Sequence, residues 1–168
     1  MKKMCIIIMT VIMLFLLSIT AFAAESTTTN SLQNYFKNDP RDLKISMSEA
    51  VNDTGISTRG WPGEGPAKQV TSVSIEQVGI LNVDGHEGNI GVLVKVIGYG
   101  RDYAKYDSSP VNYFSSEGFI LYGTLVDGWY YLYDCGAPTL GDHRFDIEMV
   151  SLNPPYTEKS AWATFTIK

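Results

Sequence analysis

Cys135 and His143 are the first residues to weigh, because a thiolate beside an imidazole is a nucleophile with its base, and Asp142 or Asp134 could orient the ring. Both lie in one short loop, however, and no glycine-built oxyanion nest is evident. A cysteine nucleophile and its base are usually distant in sequence. No residue is therefore assigned a catalytic role, and Cys135 and His143 stand as the candidates an enzyme would use. Asp84, His86 and Glu87 are ligand-type side chains in a run, Asp-Gly-His-Glu, that lacks a recognised ligand spacing. They read as a solvated hairpin tip, and no metal or cofactor is expected. A carboxylate pair for glycoside cleavage leaves no sequence signature, since its separation is set in space. Phosphate-loop, GxSxG and HExxH patterns are absent.

Aromatic side chains are the more unusual chemistry. Eleven fall between Tyr99 and Tyr133, out of 18 that follow residue 23. In Trp129-Tyr130-Tyr131-Leu132-Tyr133, period two puts Trp129, Tyr131 and Tyr133 on one face. Tyrosines beside Arg101, Asp102, Lys105 and Asp107 make an amphipathic contact surface of low conformational entropy, suited to a glycan or a protein. Tyr99, Arg101, Tyr103, Tyr106 and Trp129 are the expected binding residues. The bland alternative is that the rings stabilise cross-strand pairs, as they commonly do in sheets.

These residues flank the stretch that organises the chain, Asn89–Tyr106. Ile90, Val92, Val94 and Val96 occupy one face, Leu93 and Ile97 the other, which fits a strand buried on both sides. Gly98 and Gly100 then break the run ahead of the aromatic rim. Upstream, Val73 and Ile75 alternate in one phase and Val78 and Ile80 in the opposite one, which implies a bulge. Asp84–Asn89 reads as a hairpin loop, and Ser108-Ser109-Pro110 as a turn. Strands are expected at Phe119–Tyr122 and Gly128–Tyr133, joined near Asp127-Gly128. Gly136–Gly141 reads as a loop. Phe145, Ile147 and Met149 point inward, as do Ala161, Ala163, Phe165 and Ile167 on a last strand. Between them, Asn153-Pro154-Pro155-Tyr156 forces a turn.

That makes six or seven short strands without helical spacers. The expected fold is all-β, an antiparallel immunoglobulin-like sandwich, with a small barrel as the alternative. Before it come a polar tail, a short turn around Leu32, Tyr35 and Phe36, and one short helix. The helix is expected from Leu43, Met47, Ala50 and Val51 at i, i+4, i+7 and i+8, with Asp39 as N-cap and Pro40 as first residue. Asn52–Pro66 is rich in glycine and proline and reads as loop, with Trp61 packing the extension onto the body. Asn52-Asp53-Thr54 fits a glycosylation sequon, a pattern too short to carry weight alone. The domains are thus 1–23, 24–66 and 67–168.

Residues 1–23 read as a cleaved export signal: Lys2 and Lys3, the apolar run Ile6–Ser18, and Ala21-Phe22-Ala23 before the cleavage point. A membrane anchor is disfavoured because the run is short and no basic stop follows it. Without Lys2 and Lys3 the chain carries 11 basic and 18 acidic residues, a charge of −7, which disfavours a nucleic-acid partner. Cys135 is the only cysteine after the signal, so no internal disulfide is available and core packing must hold the domain.

Val94-Lys95-Val96-Ile97-Gly98-Tyr99-Gly100, Tyr103-Ala104-Lys105-Tyr106, Gly128-Trp129-Tyr130-Tyr131 and the ending Thr164-Phe165-Thr166-Ile167-Lys168 follow an order that resembles the small secreted bacterial proteins of the YolA family. The resemblance covers residues 71–168 and implies an exported bacterial β-rich domain; it brings no catalytic residues. The reading is a secreted, extracellular, non-catalytic protein whose aromatic surface contacts a glycan or protein. A small secreted hydrolase, through Cys135 and His143 or paired carboxylates, and a secreted toxin or antagonist are the alternatives.

Overall fold

The computed structural model describes residues 31–36, 45–54, 69–121, 126–152 and 156–168. The expected export signal, residues 39–44 of the expected helix, and Trp61 with its Gly/Pro-rich surroundings lie outside the described residues. A 3-10 helix, Ser31–Tyr35, precedes nine strands: β1 (Ile45–Thr54), β2 (Ser72–Ile80), β3 (Ile90–Ile97), β4 (Gly100–Tyr106), β5 (Ser109–Val111), β6 (Tyr113–Phe119), β7 (Gly128–Asp134), β8 (Gly141–Ser151) and β9 (Glu158–Ile167). None of the described helices is long and apolar enough to cross a membrane.

All strand pairs are antiparallel, in the order β5-β4-β8-β9-β1-β2-β3-β7-β6. β1 joins two sheets. Ile45–Asn52 pairs with β9, while Asp53 and Thr54 pair with β2. The end strands β5 and β6 do not pair with each other, so the barrel alternative fails and the architecture is an all-β sandwich. Its core lies between the sheets. Phe145, Ile147 and Met149 of β8 and Ala163, Phe165 and Ile167 of β9 meet Val73 of β2, Val92, Val94 and Val96 of β3, and Tyr133 of β7. The expected double burial of β3 holds. Leu93, on its other face, is also fully buried, in a second cluster with Leu32, Phe36, Leu81 and Leu132.

That second cluster lies on the outer side of the β2–β3–β7 sheet. Gly79 and Gly91 are direct cross-strand partners, and the Phe36 ring lies over both. A Cβ on Gly79 would come within 2.8 Å of Phe36 Cδ1, and one on Gly91 within 3.0 Å of Phe36 Cε1. The absence of two side chains thus makes the seat for one ring, a known way to repair weak glycine positions in sheets. Backbone bonds hold the segment down: Phe36 bridges to Leu81, and Asn82 N–H donates to Tyr35 O at 2.7 Å. The Ser31 hydroxyl and N–H both donate to Glu117 of β6.

Several expectations need correction. The short helix is wrong: Ile45–Thr54 is a strand. Its alternation is hidden because the register shifts between Met47 and Glu49, so apolar spacing there mimics a helical face. Asn52–Thr54 is strand and not loop, and the Asn52 Oδ1 accepts from Ile75 N–H at 2.9 Å. The strand expected at Phe119–Tyr122 ends at Phe119 and runs back to Tyr113. The β6–β7 link spans residues 120–127, because Phe119 pairs with Gly128; no two-residue hairpin forms at Asp127-Gly128. The turn near Ser108 sits one residue earlier: Asp107 and Ser108 both adopt positive φ (47° and 69°) between paired Tyr106 and Ser109, the geometry that suits a tight hairpin. The bulge on β2 is where the phase slip placed it, at Glu76.

Candidate functional site

β4 alternates in burial, and that alternation divides the expected binding residues. Asp102, Ala104 and Tyr106 point between the sheets, whereas Arg101, Tyr103 and Lys105 project outward and are exposed. Tyr103 is 52% exposed. Across the strand pair, Arg101 lies beside Val150, Tyr103 beside Glu148 and Lys105 beside Asp146. The next column brings Trp162 of β9 against Asp146. The Arg144 guanidinium sits 4.5 Å from the Trp162 ring centroid, and its Nη2 donates to Asp146 Oδ1 at 2.7 Å. Val51 of β1, paired with Trp162 and 43% exposed, ends the row. The described part of this outer sheet face is an open array of cations, carboxylates, one tyrosine and one tryptophan, with Val51 and Val150 among them. Trp162 was missed in the sequence, although alternation with inward Ala161 and Ala163 already pointed it outward.

The other three expected residues lie elsewhere. Tyr99 is half-buried, its hydroxyl donating to Val126 O at 2.6 Å. Trp129 is half-buried beside Gly118, where Val126 also packs. Tyr106 faces the core, stacked 5.4 Å from His143 and 6.2 Å from Phe165. Its hydroxyl is buried without a partner, and burial, aided by the Asp107 charge, pushes its pKa up to about 12. The set therefore splits into an outward pair, Arg101 and Tyr103, and inward rings that serve packing.

His143 and Cys135 do not form a catalytic pair. His143 is 7% exposed. Its Nδ1 lies 2.7 Å from Asp107 Oδ2 and its Nε2 2.8 Å from the Thr139 carbonyl oxygen. A carbonyl can only accept, and so can an ionised carboxylate, so the site favours the protonated ring, which donates from both nitrogens. Burial would lower the His143 pKa, but the Asp107 and Thr139 hydrogen bonds and the Asp107 and Asp142 charges outweigh it and raise it. A base needs a free lone pair, and in that form this imidazole has none. It clamps the β4–β5 turn to the loop before β8. Cys135 packs against the core, and burial together with the Asp134 and Asp107 charges pushes its thiol up to about 12. It is therefore a thiol at neutral pH, unlike an activated nucleophile.

His86 is held by the fold. Its Nδ1 pairs with the Asp134 carboxylate, and its ring stacks 3.9 Å from Phe114. Asn89 Nδ2 (2.8 Å) and Gly136 N–H (2.7 Å) donate to the same carboxylate. Burial pushes the Asp134 pKa up, but these hydrogen bonds outweigh it and leave it lowered. Asp84 and Glu87 remain exposed at the tip. Among the described residues no three His, Cys, Asp or Glu side chains converge as a metal site.

No curated protein and no solved structure matches the chain. A family model does, described as a domain of unknown function, DUF4879, over residues 65–167. That span takes in β2 to β9 with the open sheet face and the His143 clamp, and the chain belongs to this family.

Proposed function

We propose that the chain is a secreted, non-catalytic binding protein that contacts an extracellular glycan or protein through the outer face of the β4–β8–β9 sheet. The observation that supports this most directly is the row Arg101, Tyr103 and Lys105, exposed on one strand face and continued by the Arg144–Trp162 pair. A tyrosine and a tryptophan framed by both signs of charge offer stacking area and hydrogen bonds with little side-chain entropy to lose. The mixed charge favours a partner that is neither a polyanion nor a bare apolar surface. The resemblance to secreted YolA-family proteins belongs to the same proposal and supports export.

A pull-down and a glycan array on protein lacking residues 1–23 test it. Tyr103→Ala combined with Arg101→Ala is expected to weaken retention about tenfold or more, as loss of a central anchor does. Trp129→Ala, which alters an inward ring, is expected to retain the partner. Equal retention by wild type and the Tyr103/Arg101 variant would overturn the reading.

A further inference from the structure

We propose that the inward side of β4, where Asp102 meets the tyrosines of β6 and β7, binds an organic cation, an alkylammonium or quaternary ammonium group. Asp102 of β4 points inward, and its Oδ2 accepts from the Tyr133 hydroxyl at 2.9 Å. Tyr131 is two residues before Tyr133 on the same face of β7. Tyr113 of β6 is the direct cross-strand partner of Tyr133. The Tyr113 ring lies 4.8 Å from Tyr131 and 6.2 Å from Tyr133, tilted by 55° and 82° respectively. Tyr133 is fully buried and braced 5.3 Å from Phe145, so it forms a fixed floor. Tyr113, 42% exposed, forms the rim.

The carboxylate is what singles this place out. Asp102 is half-buried and, among the described residues, no lysine, arginine or histidine forms an ion pair with it; Arg101 and Lys105 project to the opposite face of the strand. One phenol donor does not compensate a partly desolvated charge. A cation would, and the neighbouring rings of Tyr113, Tyr131 and Tyr133 are of the electron-rich kind that attracts ammonium groups. The phenols of Tyr131 and Tyr133 stay neutral: burial, then Tyr113 and Asp102, push Tyr131 up to about 12, and burial with Asp102 raises Tyr133. A neutral sugar could stack on the same rings but would leave the Asp102 charge unmatched. The site faces away from the outer sheet surface and does not depend on it.

Titration calorimetry on the protein lacking residues 1–23, with tetramethylammonium, choline and butylammonium, tests this. The neutral isostere 3,3-dimethylbutanol serves as control. At least one cation is expected to bind with Kd of about 10 mM or tighter, and the isostere about tenfold more weakly. The comparison of choline with butylammonium distinguishes a quaternary from a primary ammonium ligand. Asp102→Asn, which keeps an acceptor for Tyr133, and Tyr113→Ala, at the rim, are each expected to weaken binding about tenfold; Tyr103→Ala is expected to leave it unchanged. No cation binding, equal binding of the isostere, or wild-type affinity in Asp102→Asn would overturn the proposal.

Discussion

The two outer faces of the sandwich are built to opposite rules. Behind β2, β3 and β7, the outer face presents Leu81, Leu93 and Leu132, all fully buried, and two glycines, and the chain covers it with its own 3-10 helix. Over β4, β8 and β9, the outer face presents Arg101, Tyr103, Lys105, Arg144, Asp146 and Trp162, and no described residue covers it. An apolar sheet face must be buried, whereas a face of paired charges and amphipathic rings can stay in water and wait for a partner. The first face is therefore where stability is concentrated. The second is where substitutions should be felt in binding alone.

Four substitutions break or sharpen that contrast. Gly91→Val should have the largest effect, because its Cβ would meet Leu81 Cγ at 2.7 Å and lift Phe36 from its seat; a loss of about 3 kcal/mol or more is expected in urea unfolding. Phe36→Ala empties the seat without a clash and should cost about 3 kcal/mol; a loss below about 1 kcal/mol would mean that the segment is not docked in solution.

The third concerns pH. The His143 pKa is raised in the folded state, so its protonated form adds stability that is fully present below the ordinary histidine value of about 6.5 and is lost as pH rises through the folded value. The groups facing it are Asp107, Asp142, Thr139 and the Tyr106 ring. The stability advantage of wild type over His143→Gln should be about 1 kcal/mol below that window and shrink above it. A difference independent of pH would show that the ring is not held as a cation.

Tyr103→Ala should be the smallest, within about 0.5 kcal/mol by the same unfolding assay. A large loss there would show that the open face also carries stability.

Legibility followed the range of the interactions. Double burial of β3 and the bulge at Glu76 could be read from period two, because successive side chains leave a strand on opposite sides whatever it pairs with. The same rule would have pointed Trp162 outward. It failed at β1, where the register shift between Met47 and Glu49 erased the alternation and left a helix-like spacing. Composition located the aromatic surplus but could not divide it, because Tyr103 and Tyr106 sit on opposite faces of one strand and only packing decides which face is water.

What the chain alone determined is the β class and the inward sides of β8 and β9, both consequences of local backbone geometry and side-chain alternation. Tertiary structure decided the rest. It brought Asp107 to His143 across 36 residues and thereby turned a supposed base into a clamp. It seated Phe36 on Gly79 and Gly91, and set Asp102 among tyrosines of two other strands. Those contacts depend on which strands become neighbours, and that is settled by the closing of two sheets over one core.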